Sequence, residues 1–260
     1  MDTEKSSKIN QLLQSTPYGV VMLSSWLADQ GYSLDLQKRY KKSGWLEPIG
    51  TGAMVRTGNK IDYLGGLYAL QTQAKLSIHV GGRSALALQG KGHYINIVSG
   101  RVILLGDSNV QLPVWFKNKD WGVKVDYYAT AFLPAQMGLI DLEWGNFSVK
   151  ISNPARAILE CLYLTPKHQE IFECYELMQS LNNLKPKSVQ ELLENCTSIK
   201  VKRLFLYLAD KCNHDWLPFV NLANIPLGSG TRSLVKSGVY IDKYKITVPR
   251  EIEKNEKPKI

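Results

Sequence analysis

The residues best suited to do chemistry are the carboxylates Asp107, Asp126, Asp141, Glu143 and Glu160, which follow or lie in a strand-rich stretch that also holds Lys150, with Lys167 further on. Such a set could hold Mg²⁺ through one or two carboxylates and carry out phosphoryl transfer. No spacing says which of them meet, and carboxylates near strand ends are ordinarily surface groups. The recognisable catalytic signatures are missing: there is no GxxxxGK[ST] loop, no GxGxxG after a strand, no HExxH and no GxSxG elbow. The four histidines, His79, His93, His168 and His214, stand apart from one another, and the four cysteines, Cys161, Cys174, Cys196 and Cys212, show no CxxC pair or zinc-finger spacing. They read as structural histidines and reduced, buried or indifferent thiols. The expectation is a protein with no catalytic residues, no cofactor and no metal, with a metal-dependent nucleic-acid-processing enzyme as the alternative.

Charge points elsewhere. A net charge of +9 over 260 residues favours polyanionic partners, and nucleic acid is the commonest of these. The cations concentrate in two places. Gln37, Lys38, Arg39, Lys41 and Lys42 are close together, with Arg56 and Lys60 shortly after. Lysines there suit phosphates, whereas arginine reads guanine and glutamine reads adenine bidentately. The second concentration comprises Lys200, Lys202, Arg203 and Lys211, then Arg232, Lys236, Lys243, Lys245 and Arg250 around Gly228-Ser229-Gly230. It reads equally well as a phosphate-binding face with a backbone-amide nest and as an ordinary solvated surface.

The elements that must position the first group follow from periodicity. Ile9, Leu12 and Leu13 at i, i+3, i+4 predict a short helix, broken by Thr16-Pro17-Tyr18-Gly19. A second helix is predicted over Val20–Gln30, stopped by Gly31. Ser33 then caps a third, Leu34–Lys42, with Leu34 and Tyr40 inward and the cations outward. Trp45 to Arg56, centred on Gly50-Thr51-Gly52, reads as a hairpin. Helix, turn, helix and hairpin in that order predict a winged helix-turn-helix, whose second helix enters the major groove of duplex DNA. A winged helix that grips a protein partner is the other reading.

Beyond it, Asp62–Lys75 is helical in pattern, and Ser84–Leu88 is a short helix. Strands are predicted at His93–Val98, Arg101–Leu105, Leu112–Phe116, Val123–Ala129 and Phe147–Ile151. Helices follow from Pro154 and over Gln169–Leu181, Ser188–Asn195 and Lys200–Lys211, with last strands at Gly238–Tyr240 and Lys243–Val248. The fold class is α+β: an N-terminal winged helix-turn-helix over residues 1–80, followed by a larger mixed α/β domain over 81–260. No apolar run reaches membrane-spanning length and the first residues are polar, so a cytoplasmic protein is expected, with no membrane partner.

Three stretches, Trp45-Leu46-Glu47-Pro48-Ile49-Gly50-Thr51-Gly52-Ala53, Gly65-Gly66-Leu67-Tyr68-Ala69-Leu70-Gln71 and His79-Val80-Gly81-Gly82-Arg83-Ser84-Ala85-Leu86, resemble the AbiEi family of antitoxins from bacterial type IV toxin-antitoxin and phage-defence systems. The resemblance extends through Ser152–Glu160, Val201–Leu206 and Ile246–Arg250, and so covers most of the chain. It implies an antitoxin whose winged helix binds inverted repeats in the promoter of its own operon and represses it. It further implies a C-terminal domain that opposes a nucleotidyltransferase-like toxin of the AbiEii type without a stable complex, and it implies no catalytic residues.

Overall fold

Leu12, Met22, Leu27, Tyr40, Leu46 and Met54 are buried together, and Ile9, Trp26, Tyr32 and Leu36 pack against them. The computed structural model describes residues 8–90, 100–235 and 237–254. This apolar cluster dictates the arrangement of the first elements: α1 (Lys8–Ser15), β1 (Met22–Leu23), α2 (Ser24–Asp29), α3 (Leu34–Lys42), β2 (Leu46–Gly50) and β3 (Ala53–Arg56). In the resulting sheet, ordered β1-β3-β2, Met22 lies opposite Met54 and Leu46 opposite Arg56, both in antiparallel pairs. Together these elements form the winged helix-turn-helix that the sequence predicts.

The helix expected over Val20–Gln30 is shorter than predicted, with only Ser24–Asp29 helical. The preceding Val20-Val21-Met22-Leu23 run is buried and extended, because it completes the wing sheet. Its free backbone groups are met from another element: the Gln73 amide donates to Val21 O at 2.8 Å and accepts from Leu23 N at 2.8 Å. An extended segment buried this deeply needs such a partner for each N–H and C=O that the sheet leaves over.

Further along come α4 (Tyr63–Tyr68), a wider π turn over Ala69–Gln73, β4 (Ile78–Val80), α5 (Gly82–Leu88), β5 (Arg101–Gly106), α6 (Val114–Asn118), β6 (Lys124–Ala129), β7 (Leu139–Trp144) and β8 (Phe147–Ser152). A five-stranded sheet runs in the order β6-β5-β4-β8-β7, with β5 parallel to β6 and β4 parallel to β8. The strand predicted at Leu112–Phe116 is instead α6, whose N-cap Pro113 lacks a ladder donor and lets Trp115 and Phe116 turn into the core. Strand β7 was not anticipated, and the strand predicted at His93–Val98 lies outside the described residues.

The remainder comprises α7 (Pro154–Leu164), α8 (Ile171–Gln179), α9 (Pro186–Asn195), α10 (Ile199–Lys211), β9 (Arg232–Ser233), β10 (Val239–Ile241), β11 (Ile246–Val248) and α11 (Arg250–Lys254). The chain divides into two compact units. Among the described residues, 8–79, 100–129 and 141–150 form the first, and 80–90, 130–140 and 151–254 the second. Two helices of the second unit, α7 and α10, are buried on nearly every side, as a helix at the centre of a helical layer must be. No helix among the described residues is long and apolar enough to cross a membrane.

Candidate nucleic-acid interface

Helix α3 begins where the Ser33 side chain accepts a hydrogen bond from Leu36 N at 3.3 Å, satisfying one of the first-turn donors. Asp35 in its first turn and Arg39, Lys41 and Lys42 in its last complement the helix dipole. The phase of the helix is set by Leu36 and Tyr40, which meet the core at i and i+4. At about 100° per residue, that phase directs Leu34, Asp35, Lys38 and Lys42 to the opposite side, with Arg39 and Lys41 flanking. Lys38, Arg39, Lys41 and Lys42 are all exposed. Lys38 makes a solvent-screened ion pair with Asp35 at 3.3 Å, while Arg39, Lys41 and Lys42 have no ion-pair partner among the described residues.

The wing is anchored to this helix through the backbone, since Trp45 N donates to Tyr40 O at 2.9 Å and Thr57 N to Trp45 O at 3.1 Å. Ser24 N donates to Gly52 O at 2.8 Å, fixing the hairpin tip against α2. Arg56 ends β3 half-buried, and Lys60 stands exposed beyond the turn at Gly58. The elements thus bring the cations of α3 into one exposed helical face beside a rigid hairpin.

Two residues on α3 depart from expectation. Leu34, expected inward, is 60% exposed, and Gln37, expected to reach a base, is 2% exposed. The Gln37 amide is fully engaged inside: it accepts from Ser24 Oγ at 2.6 Å and donates to Ser24 O at 3.0 Å and Tyr32 O at 2.8 Å. It ties α2 and the turn to α3 and has no amide group left for adenine. The signal for both reversals was the Leu36/Tyr40 spacing, which fixes the helix phase once Leu36 is counted as core.

The second basic concentration also differs from a phosphate-binding face. Arg203 is 1% exposed, and its guanidinium donates to Leu227 O (2.8 Å), Gly228 O (3.0 Å), Gly230 O (2.8 Å) and Lys245 O (3.0 Å). The Gly228-Ser229-Gly230 turn therefore presents carbonyls to a cation, the reverse of an amide nest. Lys200 Nζ donates to Tyr163 O at 2.8 Å and Thr165 O at 2.6 Å, and Lys202 Nζ to Pro226 O at 3.3 Å. Burial lowers the pKa of both lysines, consistent with ammonium groups withdrawn from water. These three cations of α10 bind the chain's own backbone. Arg232 and Lys245 are exposed, Lys243 pairs with Asp210 at 2.7 Å, and Lys236 lies outside the described residues.

Four of the five candidate catalytic carboxylates are engaged locally, Asp107 by accepting from Ser108 N at 2.6 Å, while Glu143 is exposed. Asp126 pairs with Arg101 at 2.7 Å and Asp141 with Lys150 at 2.6 Å. Glu160 is fully buried, accepting from Arg156 Nε and Gly82 N at 2.8 Å each and from Ser152 Oγ at 2.7 Å. Arg156 in turn donates to the carbonyls of Pro134, Ala135 and Met137. Among the described residues no group of three or more His, Cys, Asp or Glu could hold a metal ion.

Comparison with solved structures gives the fold independent support. The chain superposes on the crystal structure of the RV2827C protein from Mycobacterium tuberculosis with a TM-score of 0.58 and 16% identity, over 92% of this chain and 88% of that one. No curated protein matches the chain. A family model described as the N-terminal domain of the AbiEi antitoxin, a transcriptional regulator, matches residues 5–97. A second, described as an AbiEi antitoxin and transcriptional regulator of a type IV toxin-antitoxin system, matches residues 99–249, and the chain belongs to this AbiEi antitoxin family.

Proposed function

We propose that this protein is a DNA-binding autorepressor and antitoxin of a type IV toxin-antitoxin operon. Residues 1–80 act as the DNA-binding module and 81–260 as the antitoxin domain. The observation that carries the reading is the exposed cationic face of α3, held beside the wing and pointing away from the core. Helix α3 lies in the major groove of double-stranded promoter DNA, with Lys38, Arg39, Lys41 and Lys42 on phosphates and base edges, while Arg56 and Lys60 hold the wing to the backbone. Two copies on inverted repeats place their recognition helices about one helical turn apart. The second domain opposes a nucleotidyltransferase-like toxin without a stable complex, and this part rests on family membership. The reading involves no catalytic step, and it places the protein in the cytoplasm, where its promoter is.

The test is a salt-dependent fluorescence titration of the full chain against the DNA upstream of its own gene, with a scrambled duplex as control. The expected result is selective binding that is lost when Lys38, Arg39 and Lys41 are replaced together by glutamine. Weak binding indifferent to sequence would overturn operator recognition.

A further inference from the structure

Resting on the DNA-binding reading of α3, we propose that Leu34 is a specificity-determining residue, making apolar contact with the 5-methyl group of a thymine in the operator. Leu34 is the first residue of α3 after the Ser33 cap and is 60% exposed, outside the core that Leu36 and Tyr40 join. Base edges are read mainly by the N-terminal residues of a recognition helix, and Leu34 occupies that end.

The surroundings of Leu34 choose its occupant. Lys38 and Lys41, at i+4 and i+7, share its stripe of the helix and are exposed, so a single apolar side chain stands in a face that is cationic on balance, with Asp35 its one carboxylate, paired with Lys38. The buried centres of protein interfaces are depleted in lysine, and a partner protein would pay to desolvate both ammonium groups. Duplex DNA supplies the converse surface: phosphates along the groove walls for the lysines, and on its floor one distinctly apolar feature, the thymine methyl. Leu34 has no polar atom beyond its backbone with which to read any other base.

The experiment uses the full chain and three duplexes: the upstream DNA, the same DNA with uracil in place of thymine, and a scrambled sequence. Uracil differs from thymine only by the methyl group, so the change is made without touching the protein. Burying one methyl corresponds to about a fourfold change in affinity. Wild-type protein is expected to bind the thymine duplex about fourfold more tightly than the uracil duplex. The Leu34→Ala protein is expected to bind the thymine duplex weaker by a similar factor and no longer to distinguish thymine from uracil. As Leu34 is exposed, the variant should melt like wild type, which circular dichroism checks. Equal binding of both duplexes by selective wild-type protein would overturn the Leu34 contact alone. So would undiminished thymine preference in Leu34→Ala, since the preference would then come from DNA shape or another residue. Failure of the wild type to prefer upstream over scrambled DNA would remove the repressor reading and the Leu34 contact with it.

Discussion

Gln37 shows how a residue of the right type at the right place can be spent on folding. Its amide closes three hydrogen bonds between α2, the following turn and α3 while only 2% exposed. Replacing it with leucine keeps the approximate volume but leaves the Ser24 hydroxyl and two carbonyls without that partner. A buried polar group left unsatisfied costs about 1–3 kcal/mol, and partial hydration through Ser24 keeps the sum for Gln37→Leu at about 2–4 kcal/mol. Urea unfolding should therefore show a lower midpoint. Titration of the still-folded protein, below the onset of unfolding, should show an unchanged order of preference among operator variants. A Gln37 that read adenine would give the opposite pattern, with full stability and relaxed preference at a single base pair. The residues of α3 that remain for DNA are those that the Leu36/Tyr40 phase exposes, and Leu34 is one of them.

At the scale of elements, Gly65 and Gly66 on α4 illustrate close approach. A Cβ on Gly65 would lie 2.0 Å from Gly19 O, and one on Gly66 would lie 2.7 Å from the Trp121 ring and 2.8 Å from that of Phe116. Helix propensity favours alanine over glycine by about 1 kcal/mol, but overpacking against backbone costs about 1–3 kcal/mol or more. At 2.0 Å from a carbonyl the clash wins, so Gly65→Ala should destabilise the chain by about 1–2 kcal/mol net in urea titration; a more stable variant would show that α4 is free to move off the Gly19–Val20 segment. The position of α4 was legible from Leu64, Leu67 and Leu70, and its Asp62 cap is seen accepting from Gly65 N at 3.0 Å. What could not be read was its close partner, because Val20 to Leu23 has an apolar run that suits a buried helix or strand equally. The pairing of Met22 with Met54 decides between them, and that is a long-range fact. The same limit hid α6, where a buried Trp115-Phe116 pair follows a proline. The polar cap fared better: Ser33 caps α3 where local chemistry places it, accepting from the backbone N–H three residues on, and Asn153 does the same for α7.

For the whole molecule, a charge of +9 overstates what is available to a polyanion. The basic clusters of α3 and α10 differ in what their donors touch. On α3 they face solvent, whereas on α10 Lys200, Lys202 and Arg203 are committed to backbone carbonyls, and Arg203 alone holds four of them. Counterion release counts only charges that reach phosphates, each contact contributing about 0.9 to the slope of log K against log salt. Lys41→Gln with Lys42→Gln should thus lower the slope by up to about 1.8 if both touch phosphate, with the melting temperature nearly unchanged because both side chains are exposed. Arg203→Gln should do the reverse. Removing it strips the charged donor from the carbonyls of Leu227, Gly228, Gly230 and Lys245, a loss of about 1–3 kcal/mol for each carbonyl left buried without a donor. The melting temperature falls while the salt slope of the folded protein stays as it was. The double variant removes two positive charges and Arg203→Gln removes one, so if the protein bound DNA as a uniformly cationic body both slopes would fall, in that two-to-one proportion. A slope that responds to α3 and not to Arg203 would instead mean that polyanion attraction is concentrated on the recognition helix, with the central helix of the second unit using its cations to hold the chain's own turns in place.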